Sequence, residues 1–232
     1  MKKHLKYIGY GLLLGLFIAL LIESVSLFLN IERDLVTNVA FAIGFALLIS
    51  GLLYNYFYIR KYRKRVINQI WLLESGKPEI ALNDMISMHE EATSKGAYRL
   101  AHLAKLNMTA AYCDLNKYEE ALDILLELSS VKFEGIENLV YRINLCACYY
   151  YLGNEEGGNL NYLLNEKLFD KYRNNIIYGG NVAVIKMMYL LANHKYKEAK
   201  SLLEQAKIKW DNPRLLNDYQ LIEEKLRLSM EP

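Results

Sequence analysis

Residues 39–59 carry no charged side chain, and residues 7–29 carry only one, Glu23. No other property restricts the fold as much. A helix of the first run's length rises about 34 Å, enough to cross a hydrocarbon core. Backbone amides inside a bilayer must be paired within their own segment, so each run reads as a transmembrane helix. The link between them, residues 30–38, is short and polar, which makes the two spans antiparallel neighbours. Residues 1–60 are therefore expected to form a transmembrane helical hairpin. A cleaved signal peptide is the competing reading, because Met1-Lys2-Lys3-His4-Leu5-Lys6 resembles a basic n-region. The apolar run behind it is too long for that, and no Ala-x-Ala site closes it.

Five bases, Arg60, Lys61, Arg63, Lys64 and Arg65, stand directly behind the second run. Three Lys precede the first run, and the link holds one Arg. Lys and Arg collect on the cytoplasmic side, so both termini are expected in the cytoplasm of a multi-pass cell-membrane protein. Tyr54, Tyr56 and Tyr58 fall where an aromatic belt is expected. The basic band reads as the topology determinant, and it also offers charge to anionic headgroups. Gly11, Gly15 and Ala19 recur every four residues, as do Ala40 and Gly44 on the second span. Small residues let helix backbones approach. They serve either contact between the two spans or contact with another membrane protein. Glu23 extends the first of these faces by one step. Two readings stand for it: a carboxylate reaching the outer interface, or a polar anchor for a partner helix.

Charge is partitioned along the chain. Nine of the 28 Lys and Arg but only three of the 26 Asp and Glu lie in the first 65 residues, which leaves 19 bases against 23 acids beyond them. A mildly acidic remainder with no basic stripe points away from nucleic acid. Three cysteines, Cys113, Cys146 and Cys148, without paired spacing point to reduced thiols. Proline is confined to Pro78, Pro213 and the last residue. Scarce Pro with abundant Leu, Ala, Glu and Lys gives an all-α expectation for residues 61–232.

A turn recurs in that region. Gly76-Lys77-Pro78-Glu79-Ile80-Ala81 is echoed by Asn116-Lys117-Tyr118-Glu119-Glu120-Ala121, by Gly153-Asn154-Glu155-Glu156-Gly157-Gly158 and by His194-Lys195-Tyr196-Lys197-Glu198-Ala199. The small residues Ala81, Ala121, Gly158 and Ala199 are spaced by 40, 37 and 41. Such a period means stacked helical hairpins, since one hairpin cannot bury its apolar face alone. Leu215, Leu216, Tyr219, Ile222 and Leu226 form one stripe of a final helix, read as the cap. The second span is expected to run on through the basic band and stop at Ser75-Gly76.

Through the turn, the aromatic two residues into it and the Ala three further on, the chain resembles the tetratricopeptide repeat family over about residues 62–213. Met108 with Tyr112 and Leu145 with Tyr149 fit its first helices. The usual Trp, most closing prolines and the aromatic at Glu155 are missing, and the repeats exceed the family's length of about 34. The resemblance implies an α-solenoid of about four hairpins and a capping helix, binding through a concave face lined by the first helices. Asn107 and Asn144 occupy matching positions there, with Tyr150 and Tyr151 on or near it. Asn can bond a peptide backbone, and Tyr supplies area with a polar tip. A basic clamp for a carboxylate is absent from the first unit, where Val66 and Ile70 stand.

No residue set points to catalysis. His4, His89, His102 and His194 lack a second ligand at zinc spacing. Cys146 and Cys148 lie about 200° apart on a helix and cannot face one metal. No phosphate loop or nucleophile elbow is present. The expectation is a membrane-tethered scaffold, with no cofactor or metal, that binds a cytosolic protein or peptide. The alternative is an accessory subunit of a membrane transport or secretion complex, assembled through the hairpin.

Overall fold

The computed structural model describes residues 18–29 and 32–230. Among the described residues every regular element is helical, and there is no strand. The helices are α1 (Ile18–Leu29), α2 (Arg33–Glu74), α3 (Pro78–Ser94), α4 (Tyr98–Asp114), α5 (Tyr118–Glu127), α6 (Gly135–Tyr151), α7 (Glu155–Leu164), α8 (Glu166–Tyr172), α9 (Gly179–Ala192), α10 (Tyr196–Lys209) and α11 (Leu216–Met230). They divide into two compact units, Met1–Arg65 and Val66–Pro232.

In the first unit, α2 is the one described helix long and apolar enough to cross a membrane, by length and composition. It continues unbroken through Arg60–Arg65 to Glu74. α1 is apolar but shorter. The rest of the expected first span, with Gly11 and Gly15, lies outside the described residues. Ala19 and Glu23 on α1 are exposed. A Cβ built on Gly44 would meet nothing within 4 Å among the described residues. Tyr54, Tyr58 and Tyr62 follow one another at the four-residue step, with ring centroids 6.1 and 4.6 Å apart. Among the bases, Arg60, Lys61, Arg63 and Lys64 are exposed and Arg65 is half-buried.

The second unit is built on one repeated turn. Gly76, Gly96, Asn116, Gly153 and His194 have φ between 57° and 77°. At each, the amide bonds the carbonyl three residues back and the next amide bonds the carbonyl five before itself, as in Gly76 to Leu73 and Lys77 to Leu72. This pair of bonds satisfies carbonyls that a helix end otherwise leaves open. Five residues after each turn residue comes a small one, Ala81, Ala101, Ala121, Gly158 or Ala199, and all are buried. At Gly158 even alanine is too large: a Cβ there would lie 2.5 Å from the Tyr150 ring. Pro78 supplies the first turn of α3. Glu119 and Glu120 begin α5, where the helix dipole favours acids. Asn154 caps α7 by accepting from Gly157 N at 2.8 Å.

Neighbours in sequence pack on each other from α3 through α7 and from α9 through α11. In addition α4 packs on α6, α6 on α9 and α9 on α11. These four helices therefore form one layer, and α3, α5, α7 and α10 back it. The short α8 was not expected from the repeat; it buries Phe169 against Tyr162 and packs on α9. Apolar clusters join α2–α4, α4–α6 and α6–α11 in succession.

Candidate functional site

The layer of α4, α6 and α9 presents Asn107, Asn144 and Asn181, one from each helix and 37 residues apart. All three line a cavity of about 210 Å³ whose wall also includes Gln69, Arg214 and the apolar Ile143. Asn144 is buried, and its position is fixed: Nδ2 donates to Thr109 Oγ1 at 2.8 Å, and that hydroxyl donates to the Leu106 carbonyl at 2.7 Å. Asn107 and Asn181 make no side-chain hydrogen bond among the described residues. Gln69 is 0% exposed. Its Nε2 donates to Asp84 Oδ2 at 2.6 Å, whereas its Oε1 has no partner among the described residues. An unmet acceptor in such a place costs about 1–3 kcal/mol.

A smaller recess of about 100 Å³ adjoins this cavity and shares Asn144, Asn181 and Arg214 with it. Arg214 sits in the short 3-10 turn Pro213–Leu215, where Asn212 Oδ1 accepts from Arg214 N at 3.0 Å. Leu215 anchors the turn against Gly180, where a Cβ would lie 2.3 Å from Leu215 Cδ1. The guanidinium gives both Nε (3.1 Å) and Nη2 (3.0 Å) to one oxygen, Asp114 Oδ1. Burial raises the Asp114 pKa, and Arg214 partly offsets the rise. The Asp218 pKa is raised as well, chiefly by burial, although Tyr151 donates a hydrogen bond to it. Tyr151 stacks on Tyr118 with ring centroids 4.4 Å apart, and both line the recess.

The residues singled out from sequence thus part company. Asn107 and Asn144 line the cavity and Tyr151 the recess. Tyr150 is 4% exposed, packs in the apolar core and donates to Asn159 Oδ1 at 3.1 Å. Asn181, Gln69, Arg214 and Asp218 were not singled out. The unbroken 37-residue interval from Asn107 through Asn144 could have found Asn181. No short-range pattern marks the other three.

Cys146 and Cys148 face different apolar clusters, and burial pushes the Cys146 thiol up to about 12. Cys113 Sγ and Cys148 Sγ are 3.9 Å apart as free thiols. His89 Nδ1 lies 3.1 Å from the Ala101 carbonyl, and His194 Nδ1 lies 2.7 Å from the Tyr196 hydroxyl. Among the described residues no three of His, Cys, Asp and Glu are grouped to hold a metal ion. No family model, no curated protein and no solved structure matches this chain.

Proposed function

We propose that the chain is a membrane-tethered interaction scaffold of tetratricopeptide-like architecture. In this reading residues 1–60 form the two-span anchor, both termini lie in the cytoplasm, and the helical unit binds a cytosolic protein or peptide. The observation that carries it is the row Asn107, Asn144 and Asn181 along one cavity. A primary amide offers a donor and an acceptor together, as an extended backbone does. Packed helices lie about 8–10 Å apart, so three successive ones span about 16–20 Å, the length of five or six extended residues. Tethering confines the scaffold to the membrane surface and raises the effective concentration of whatever it holds.

The test is photo-crosslinking in intact cells from full-length protein carrying the probe at position 107 or 181. A discrete adduct from both positions, weakened by Asn144→Ala, supports the reading. Diffuse labelling, or adducts indifferent to that substitution, sinks it. One observation favours the accessory-subunit reading: large apolar side chains along α2, among them Phe41, Phe45 and Leu47, are exposed among the described residues of the first unit. Under that reading, exchanging residues 1–60 for an unrelated two-span anchor abolishes function; under the scaffold reading it does not.

A further inference from the structure

We propose that the recess bounded by Asp114, Asp218 and the stacked Tyr118–Tyr151 pair is a seat for an ammonium group, carried by a lysine side chain of a bound peptide or by a free polyamine. The proposal rests on the groove reading above and specifies what that groove selects.

Charge comes first. Arg214 is the only base on the wall of the cavity or the recess. Two of its N–H groups are committed to Asp114 Oδ1, so that pair is close to neutral. Asp218 is left over. Its hydrogen-bond donor is the neutral Tyr151 hydroxyl, and it forms no ion pair among the described residues. The recess therefore holds one excess negative charge in a half-buried place, where it is poorly screened. Tyrosine rings add the negative potential of their faces.

Hydrogen bonding points the same way from a separate position. The fully buried Oε1 of Gln69, on the wall of the adjoining cavity, is an acceptor without a donor. On the recess wall itself stand the Asp218 carboxylate and the amide oxygens of Asn181 and Asn217, and an ammonium group brings three donors and no acceptor to meet them. Size agrees: about 100 Å³ is room for about three waters, or for an ammonium group with its last methylenes. An anionic ligand would meet an Arg214 already neutralised by Asp114, beside the uncompensated Asp218, so carboxylates are disfavoured.

The experiment uses full-length protein in detergent micelles, titrated by calorimetry with five probes. They are acetyl-Ala-Ala-Lys-Ala-Ala-amide, its norleucine and glutamate counterparts, acetyl-lysine amide and spermidine. The lysine pentapeptide is expected to bind at least tenfold tighter than the norleucine one, and the glutamate one more weakly still. A pentapeptide that outbinds both acetyl-lysine amide and spermidine identifies a peptide source, and spermidine ahead identifies a polyamine. Asp218→Asn keeps an acceptor for Tyr151 and is expected to cost tenfold or more for the lysine probe, whereas Glu223→Gln, outside the recess, leaves affinity unchanged. Equal binding of norleucine and lysine peptides, a preference for glutamate, indifference to Asp218→Asn, or no saturable binding overturns the proposal. Should crosslinking from positions 107 and 181 succeed while the lysine probes fail, the groove reading stands and the ammonium seat falls.

Discussion

Asp218 shows how one side chain couples stability to pH. Burial raises its pKa above 3.8 in the folded chain, so the folded state holds this proton more tightly than the unfolded state. Stability from this group is therefore full below 3.8 and is lost as pH rises through the folded value. Asp114 behaves alike. Asp218→Asn is expected to raise Tm at pH 7 and to shrink the gain in Tm as pH is lowered from 7 toward 4; melts across that range check both. The same scale sets what the sequence could disclose. Asn107 and Asn144 were legible because their helices repeat. Tyr150 and Tyr151 were not separable, since neighbours on a helix differ by about 100° and either could face the recess. The absent Cβ of Gly158 decides it by admitting the Tyr150 ring to the core.

The helices of the second unit owe their boundaries to left-handed turn residues, and two of those are not glycine. Asn116 and His194 sit at φ 57° and 58°. The conformation costs about 1–2 kcal/mol for a residue with a Cβ, least for Asn and most for β-branched side chains. Asn116→Val and His194→Val are expected to lower stability by about 1–2 kcal/mol each, while glycine at either place holds or raises it. Denaturant melts of full-length protein in micelles separate the two outcomes. Four of the five turns could be read from their spacing. The fifth, Gly96-Ala97-Tyr98-Arg99-Leu100-Ala101, has the same aromatic and alanine offsets but joins α3 to α4, between one hairpin and the next. α8 escaped notice because seven residues carry too little periodicity to stand out.

At the scale of the molecule, the bond from Arg214 to Asp114 ties the turn before the last helix to the end of α4, 100 residues earlier. Neither side chain is freely exposed. Arg214→Met leaves the Asp114 carboxylate without its partner, at a cost of about 2 kcal/mol. Hydrogen exchange is expected to quicken in α11 and at the end of α4, with α3 unaffected. Equal quickening everywhere would mean that the bond has no local role. Sequence periodicity could suggest a stack and its cap, because burial of repeated faces is local in origin. It could not disclose this bond, because pairing across 100 residues leaves no period to read.

That bond also has a timetable. A ribosome adds about 5–20 residues each second, so Asp114 is made roughly 5–20 s before Arg214 can reach it. During the interval the nascent chain already has the turn after α4, yet its carboxylate waits without a counterion. The wall of that cavity is therefore completed late, and a chain whose synthesis stops short of Pro213 carries the asparagines of α4, α6 and α9 without the arginine that closes them in.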